Sequence, residues 1–142
     1  MRLLVVDPET PMSSLCDQGL DTRPINAAFH ALFTYTLICR ALTKVLEANV
    51  LSERQTHETL GRLGLILVKS EYDLRILALP DAYTPAGWRC YEEFGTECRH
   101  FRARYGALVG GVSYDNQPYV FNYARFVERN GGPWPVLRGL AS

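Results

Sequence analysis

The stretch ECRHFRARYG, residues 97–106, decides the fold because it ends the most regular helical pattern in the chain. At about 100° per residue, one helical face collects a set of small and apolar side chains. This face comprises Trp88, Tyr91, Phe94, Gly95, Cys98, Phe101 and Tyr105. Acids occupy the first half of the segment and arginines its last turns, the order that the helix dipole favours. The pattern predicts one amphipathic helix over 85–105, with Thr84 before Pro85 as its cap and Gly106 just past its end.

This predicted helix separates the thiol and the imidazole of the opening stretch. Residues two apart lie about 200° apart around a helix, so Cys98 falls on the buried face and His100 on the solvent side. Cys90 and Cys98 cannot share a metal ion, because eight residues rise about 12 Å whereas a zinc ligand lies about 2.3 Å from its metal. We therefore predict no catalytic residue, no metal site and no cofactor in this segment or elsewhere.

A first helix is predicted before it, beginning at Pro24 or Asn26 and ending near Val50. Apolar residues recur there every three or four positions, with polar residues opposite. The apolar part is interrupted by His30 and Arg40 and is shorter than the ~20 residues that a bilayer span needs. We therefore expect a helix of a protein core and no membrane insertion.

A second helix is predicted over 53–79, antiparallel to the first. Ser52 and Gln55 form a capping box at its start, and leucines seven apart follow. Two internal glycines each cost about 1 kcal/mol in a helix, and residues 65–79 can also be read as two strands around a turn. We prefer the helix, in which the glycines allow close approach to the first helix.

β-structure is predicted at both ends of the chain. RLLVV, residues 2–6, is a short apolar run typical of a buried strand. ALVGGVSY, residues 107–114, and YVFNYARFV, residues 119–127, read as a hairpin in which Tyr119, Phe121 and Tyr123 share one face. The predicted fold class is therefore α+β: a short N-terminal strand, a helical hairpin, a third amphipathic helix and a C-terminal β-hairpin, with a single-layer sheet packed on helices.

The composition predicts one soluble domain over residues 1–142. Hydrophobic residues make up 47% of the chain, and the 15 Lys and Arg balance the 15 Asp and Glu, so bulk composition indicates neither disorder nor coating of nucleic acid. Residues 130–142 lack a period and are expected to form a flexible tail unless Trp134 packs against the domain. The N-terminus lacks the pattern of a signal peptide, which predicts a cytosolic protein with reduced cysteines.

Two residues support a hypothesis of catalysis. Cys16 lies in an irregular segment over residues 8–23, where catalytic groups often occur. Asp7 ends the predicted N-terminal strand, a position where α/β enzymes place acids. Each would need a histidine from elsewhere, and neither lies in a known catalytic motif. A small hydrolase or transferase using Cys16 or Asp7 with a histidine is therefore the second functional hypothesis.

Binding of RNA or DNA is the third hypothesis. Arg89, Arg99 and Arg104 project from the exposed arc of the third helix, and aromatic residues of the predicted hairpin would offer a stacking surface. Glutamates on the same arc reduce the gain from counterion release. A solvated, salt-paired helix face explains these arginines better.

A protein-binding or inhibitory module without catalysis is the first hypothesis. Arg102 falls inside the apolar stripe of the third helix, where burying an unpaired guanidinium is very costly. It must therefore be paired, extend from the helix end or contact another molecule. Arginine and aromatic residues are the commonest anchors of interfaces. The predicted contact residues are Arg99, Arg102, Arg104, Tyr119, Tyr123 and Trp134, and the predicted partner is another protein.

Overall fold

The computed structural model describes residues 4–133, and its regular structure is helical. Four α-helices follow one another: α1 (Ile25–Glu47), α2 (Glu53–Ile76), α3 (Pro85–Val109) and α4 (Tyr123–Asn130), with short 3-10 turns at Met12–Ser14 and Pro80–Ala82. Within residues 4–133 there is no β-strand, and β-pairing is confined to isolated bridges. The predicted α+β class, with its sheet packed on helices, is therefore wrong.

The predicted N-terminal strand is reduced to a single bridge between Val5 and Tyr83. Beside it, the backbone N–H of Val6 donates to Ala82 at 3.0 Å, and the carbonyl of Leu4 accepts from the N–H of Thr84 at 3.0 Å. The partner segment is a short connection that enters α3 directly, so it offers no extended chain for a longer ladder. Residues 2 and 3 of the predicted strand lie outside the described residues.

The predicted C-terminal hairpin is also wrong, because helical spacing prevails over alternation. α3 runs past Gly106 to Val109, so the first predicted strand begins inside a helix. The second predicted strand is irregular up to Asn122, and α4 takes the rest. Asn122 is the N-cap of α4 and accepts a hydrogen bond from the backbone N–H of Arg125 at 3.0 Å. A short aromatic run fits both periods, and the burial of Phe126 on one helical face selects the helix.

The three long helices are present as predicted, but α2 ends at Ile76 before residue 79, and Gly106 lies inside α3, which ends at Val109. α2 is one continuous helix, so the alternative of two strands over residues 65–79 is wrong. Its capping box is present: the N–H of Ser52 donates to Gln55 Oε1 at 2.9 Å and the N–H of Gln55 to Ser52 Oγ at 3.3 Å. Thr84 caps α3 by accepting from the N–H of Gly87 at 3.2 Å.

α1 is long and apolar enough, by length and composition, to cross a membrane, which is weak evidence because core helices pass the same test. One face of α1 is buried by protein and includes Phe29, Leu32 and Cys39. The exposed stripe carries Phe33 and Leu37. The predicted absence of a membrane segment stays a prediction.

Two compact units form from the described residues. Unit 1 consists of the described chain up to Leu37 together with Lys69–His100, and unit 2 of Ile38–Val68 together with the described chain from Phe101 onward. In unit 1, Phe29 lies at the centre of the core, with its ring centroid 5.5 Å from Tyr83 and 5.7 Å from Phe94. The prediction of one domain over residues 1–142 stays a prediction.

Arg23 holds the irregular N-terminal segment in unit 1. Its carbonyl accepts from the N–H of Met12 at 2.8 Å, and its guanidinium lies between Asp21 at 2.9 Å and Asp73 of α2 at 3.0 Å. The hydrogen bond from Arg23 lowers the pKa of Asp21, whereas burial raises the pKa of Asp73. Asp73 Oδ2 has no hydrogen-bond partner among residues 4–133. The folded protein thus favours the ionised form of Asp21 and disfavours the ionised form of Asp73, although both acids bind the same arginine.

A glycine in α2 makes room for a side chain of unit 2. A Cβ at Gly64 would overlap the hydroxyl of Tyr114, and it would also approach Val109 to 3.0 Å. This hydroxyl is buried and has no hydrogen-bond partner among the described residues. The glycine that counted against a helix in the sequence is therefore required by packing.

We expect Gly64→Ala to lower the free energy of unfolding by about 1–3 kcal/mol, because overpacking exceeds the gain of about 1 kcal/mol in helix propensity. Adding Tyr114→Phe removes the overlapping oxygen and should restore part of the loss. Gly106→Ala is the control, because its Cβ would meet the flexible side chain of Arg102. Chemical denaturation measures all three, and a stabilised Gly64→Ala variant would contradict the packing.

Asp21→Asn and Asp73→Asn should have opposite consequences at pH 7. The lowered pKa of Asp21 means that its carboxylate stabilises the fold above its ordinary value near 3.8, so Asp21→Asn should cost about 1–2 kcal/mol at pH 7 and progressively less as the pH falls below that value. The raised pKa of Asp73 means that its ionisation opposes folding, so Asp73→Asn should cost nothing or stabilise. Denaturation at pH 7 and pH 3.5 measures both, and equal losses at pH 7 would refute the assignment.

Candidate functional site

The segment between α3 and α4, residues 110–122, carries an unusual exposed apolar group. Tyr119 is 80% exposed and the next residue, Val120, is 70% exposed. Pro118 precedes them and is exposed as well. We call residues 118–120 the apolar tip. Two adjacent large apolar side chains that both face solvent are a stronger sign of a contact surface than scattered ones.

The base of the apolar tip is closed by one side chain, that of Gln117. Its Oε1 accepts from the backbone N–H of Asn122 at 2.8 Å, and its Nε2 donates to the carbonyl of Asn122 at 3.2 Å. The N–H of Gln117 also donates to the carbonyl of Tyr114 at 3.1 Å. The amide thus pairs with a backbone residue as a strand neighbour would, and it holds the two ends of the tip together.

Further amide side chains fasten the loop to α4. Asn130 Nδ2 donates to the carbonyl of Ser113 at 2.8 Å, and the N–H of Ser113 donates back to Asn130 Oδ1 at 2.8 Å. Asn116 Nδ2 donates to the carbonyl of Arg125 at 2.7 Å. An irregular segment must satisfy its backbone polar groups outside a ladder, and here side-chain amides do so. The loop is therefore a defined structure that depends on α4.

Aromatic side chains anchor the loop from the inside of unit 2. Phe126 of α4 is fully buried, and the rings of Tyr114 and Phe121 lie 5.8 Å and 5.4 Å from it. Phe121 also packs against Gly61, and the guanidinium of Arg62 lies 5.2 Å from its ring centroid. Phe121 therefore faces inward, whereas the two residues before it are exposed.

His57 of α2 completes this aromatic cluster and is 0% exposed. Its Nδ1 is 3.0 Å from the hydroxyl of Tyr123, and its ring lies 5.6 Å from Tyr123 and 5.2 Å from Phe126. Burial lowers the pKa of His57, which keeps the imidazole neutral at pH 7. The guanidinium of Arg54 lies 5.3 Å from the ring centroid of Tyr123. His57 is thus a docking point for α4.

The predicted aromatic contact residues have separate positions. Tyr119 lies at the exposed apolar tip. Tyr123 is turned to His57 and supports α4, so the predicted strand face that joined it to Tyr119 and Phe121 does not exist. Trp134 lies outside the described residues. Of these aromatic residues, Tyr119 offers a contact surface and Tyr123 an internal hydrogen bond.

The predicted arginines likewise do not form one described surface. Arg104 is paired with Glu47 and lies over the ring of Tyr105. Arg102 is half-buried, its aliphatic part lies against Gly106, and its charge acts on the hydroxyl of Tyr114. Both belong to unit 2, whereas Arg99 belongs to unit 1. The apolar part of Arg102 thus lies along α3, and its predicted contact with another molecule stays a prediction.

Arg99 lines an open groove of about 530 Å³ in unit 1. Trp88 and Tyr91 stack beside it with their ring centroids 4.7 Å apart, and Leu74 also contributes to the lining. Arg99 donates to the hydroxyl of Thr96 at 3.1 Å. The groove offers aromatic surface together with one cation, Arg99, and one acid, Glu92, which makes it a second surface to test.

The residues of the catalytic hypothesis make other contacts. The thiol of Cys16 donates to the carbonyl of Met12 at 3.2 Å, and Asp7 is an exposed turn residue. Cys98 is buried and His100 exposed on α3, as predicted. Among residues 4–133, no three His, Cys, Asp or Glu side chains are grouped so that they could hold a metal ion. We find no arrangement in this part of the chain that favours catalysis.

We expect Gln117→Ala to loosen the apolar tip while leaving the fold in place. The loss of two hydrogen bonds at the loop base should cost about 1–2 kcal/mol of unfolding free energy. The main effect should be on local order: ¹⁵N relaxation order parameters of Tyr119 and Val120 should fall below about 0.6. Gln117→Glu keeps the acceptor for Asn122 and should lie in between. Unchanged order parameters in Gln117→Ala would show that this side chain does not hold the tip.

Similarity to known proteins assigns no role to this loop. No family model, no curated protein and no solved structure matches the chain. The apolar tip, the amides that hold its base and the aromatic cluster beneath it are therefore interpreted from their own chemistry.

Proposed function

We propose that the protein is a protein-binding module that inserts the apolar tip into a pocket of a partner protein. The observation that carries the proposal is the exposure of Tyr119 and Val120 on a loop whose base is closed by Gln117. A side chain that a monomer leaves in water gains most when a partner buries it, about 1.5–3 kcal/mol for a large apolar residue.

The order of the loop supports recognition because binding then costs little conformational entropy. A loop that is already held in one shape does not have to be ordered by its partner. Tyrosine contributes a large contact area with few rotatable bonds, and it is among the residue types enriched at interface hot spots. A rigid protruding tip suits an inhibitor or regulator that fills a pocket of a larger protein.

A protein partner fits this loop better than nucleic acid does. Tyr119 is the aromatic residue of the tip that faces solvent, whereas single-stranded nucleic acid is bound by series of stacking rings in a basic groove. Part of the nearby charge is compensated, since Arg129 pairs with Asp115 at 2.7 Å, while the guanidinium of Arg125 donates to the carbonyl of Asn116. Electrostatic attraction of phosphates is therefore weak at this site.

The test starts with affinity capture from lysate of the source cells, followed by a binary measurement with the recombinant partner. We expect the double variant Tyr119→Ala/Val120→Ser to weaken binding at least about 30-fold, the equivalent of 2 kcal/mol at a hot spot. Isothermal titration calorimetry measures the change in Kd.

Val50→Ser is the matched control, because Val50 is 77% exposed, belongs to unit 2 and lies away from the loop in sequence. It should bind as the unmodified chain does, and the thermal unfolding of all variants should be alike. Arg99→Ala tests the groove of unit 1. Binding that is lost in Arg99→Ala but kept in the tip variant would place the partner in the groove and refute the proposal.

A further inference from the structure

We propose that His57 acts as a pH switch: protonation of its buried imidazole releases α4, and the loop that carries the apolar tip then loses its fixed shape. The conformational step stands on the contacts of unit 2 alone. Its consequence for partner binding rests on the proposed function.

Two aromatic residues of α4 contribute to the cover over His57. Tyr123 and Phe126 of this helix lie against the imidazole, which belongs to α2. An imidazolium needs water or a strong hydrogen-bond acceptor, and burying it among rings is costly. Since Tyr123 and Phe126 cover the ring, movement of α4 is the direct way to hydrate the charge.

The charged and titratable groups near His57 come from α4, from the loop and from α2. From α4, the hydroxyl of Tyr123 meets Nδ1, and Tyr114 of the loop packs behind Phe126. On α2 itself, the guanidinium of Arg54 lies over Tyr123, and Glu58 is occupied by Arg62 at 2.8 Å.

α4 is the element that can detach from His57. It has eight residues, fewer than the ~12 at which isolated helices become marginally stable in water, so packing holds it in place. Three contacts fasten the loop to α4. Asn130 accepts from the N–H of Ser113, the carbonyl of Arg125 accepts from Asn116, and Arg129 pairs with Asp115. When α4 detaches, these contacts are lost together, and the base of the apolar tip is no longer anchored.

The pH range follows from the direction of the shift. Burial lowers the pKa of His57 from its ordinary value of 6.5, so the form with α4 released binds the proton first. Below about pH 6.5, the released form gains up to tenfold in population per pH unit until the folded protein is protonated too. The pKa of Asp115 is lowered, first by its hydrogen bond with Ser113, so its pair with Arg129 persists through this range.

Amide hydrogen exchange of the full chain at pH 7 and pH 5 tests the switch, with rates expressed as protection factors. For the unmodified chain we expect protection of Phe126 and Val127 to fall about 10- to 30-fold at pH 5. In His57→Gln, which stays neutral, the change should be less than about twofold. His30→Gln and His100→Gln are matched controls at exposed positions and should behave as the unmodified chain.

Three results would overturn the proposal. Protection in α4 could be the same at both pH values, it could fall equally in His57→Gln, or the helices of unit 1 could lose protection in step with α4, which would indicate global unfolding. If His57→Gln does not fold, NMR titration of the three imidazoles in the unmodified chain decides. His57 should then titrate below its ordinary value of 6.5, together with shifts of the α4 amides, and titration of His57 at or above that value would refute the switch.

Partner binding separates this proposal from the proposed function. If α4 responds to pH through His57 while Tyr119→Ala/Val120→Ser leaves affinity unchanged, the switch stands and the proposed function fails. If the tip is required for binding while α4 protection is constant with pH, the switch alone fails. Where both hold, affinity falls between pH 7 and pH 5 in the unmodified chain and stays constant in His57→Gln.

Discussion

The burial of Phe126 is the interaction on which the C-terminal part of this protein depends. α4 is too short to be helical without packing. Phe126 supplies that packing by lying against His57 of α2 and against two aromatic residues of the preceding loop. With α4 in place, Asn130 can satisfy the backbone of Ser113. A single fully buried ring therefore supports both a helix and an irregular loop.

In this loop, side-chain amides form hydrogen bonds with backbone groups, as neighbouring strands do in a sheet. Gln117, Asn116 and Asn130 donate to backbone carbonyls, and the oxygens of Gln117 and Asn130 accept from backbone N–H groups. Because the polar backbone is satisfied locally, the loop can leave Tyr119 and Val120 in solvent without losing its shape. The combination of internal order and external apolar surface is what supports recognition of a partner.

In unit 1, an ion pair holds an irregular segment in place. Its N-terminal segment has no helical or strand period, and Arg23 connects it to α2 through the buried Asp73. Asp21, close to Arg23 in sequence, binds the same guanidinium. In both units, a few polar side chains hold segments that hydrophobic periodicity does not organise.

Local signals in the sequence determined the three long helices, the N-terminal caps of α2 and α3 and the inward position of Cys98, because each depends on residues within one or two turns. Tertiary contacts decided the rest. The run from Tyr119 to Val127 suits a strand or a helix equally, and α4 formed because Phe126 and Tyr123 meet His57, which lies 66 residues before Tyr123. The pattern of residues within this run cannot reveal the contact, because His57 lies outside the run. Tyr119 was predicted to be a contact residue from its type, and this stays a prediction. Its separation from Tyr123 was not predicted, since exposure and burial of neighbouring aromatics depend on packing partners far away in the chain.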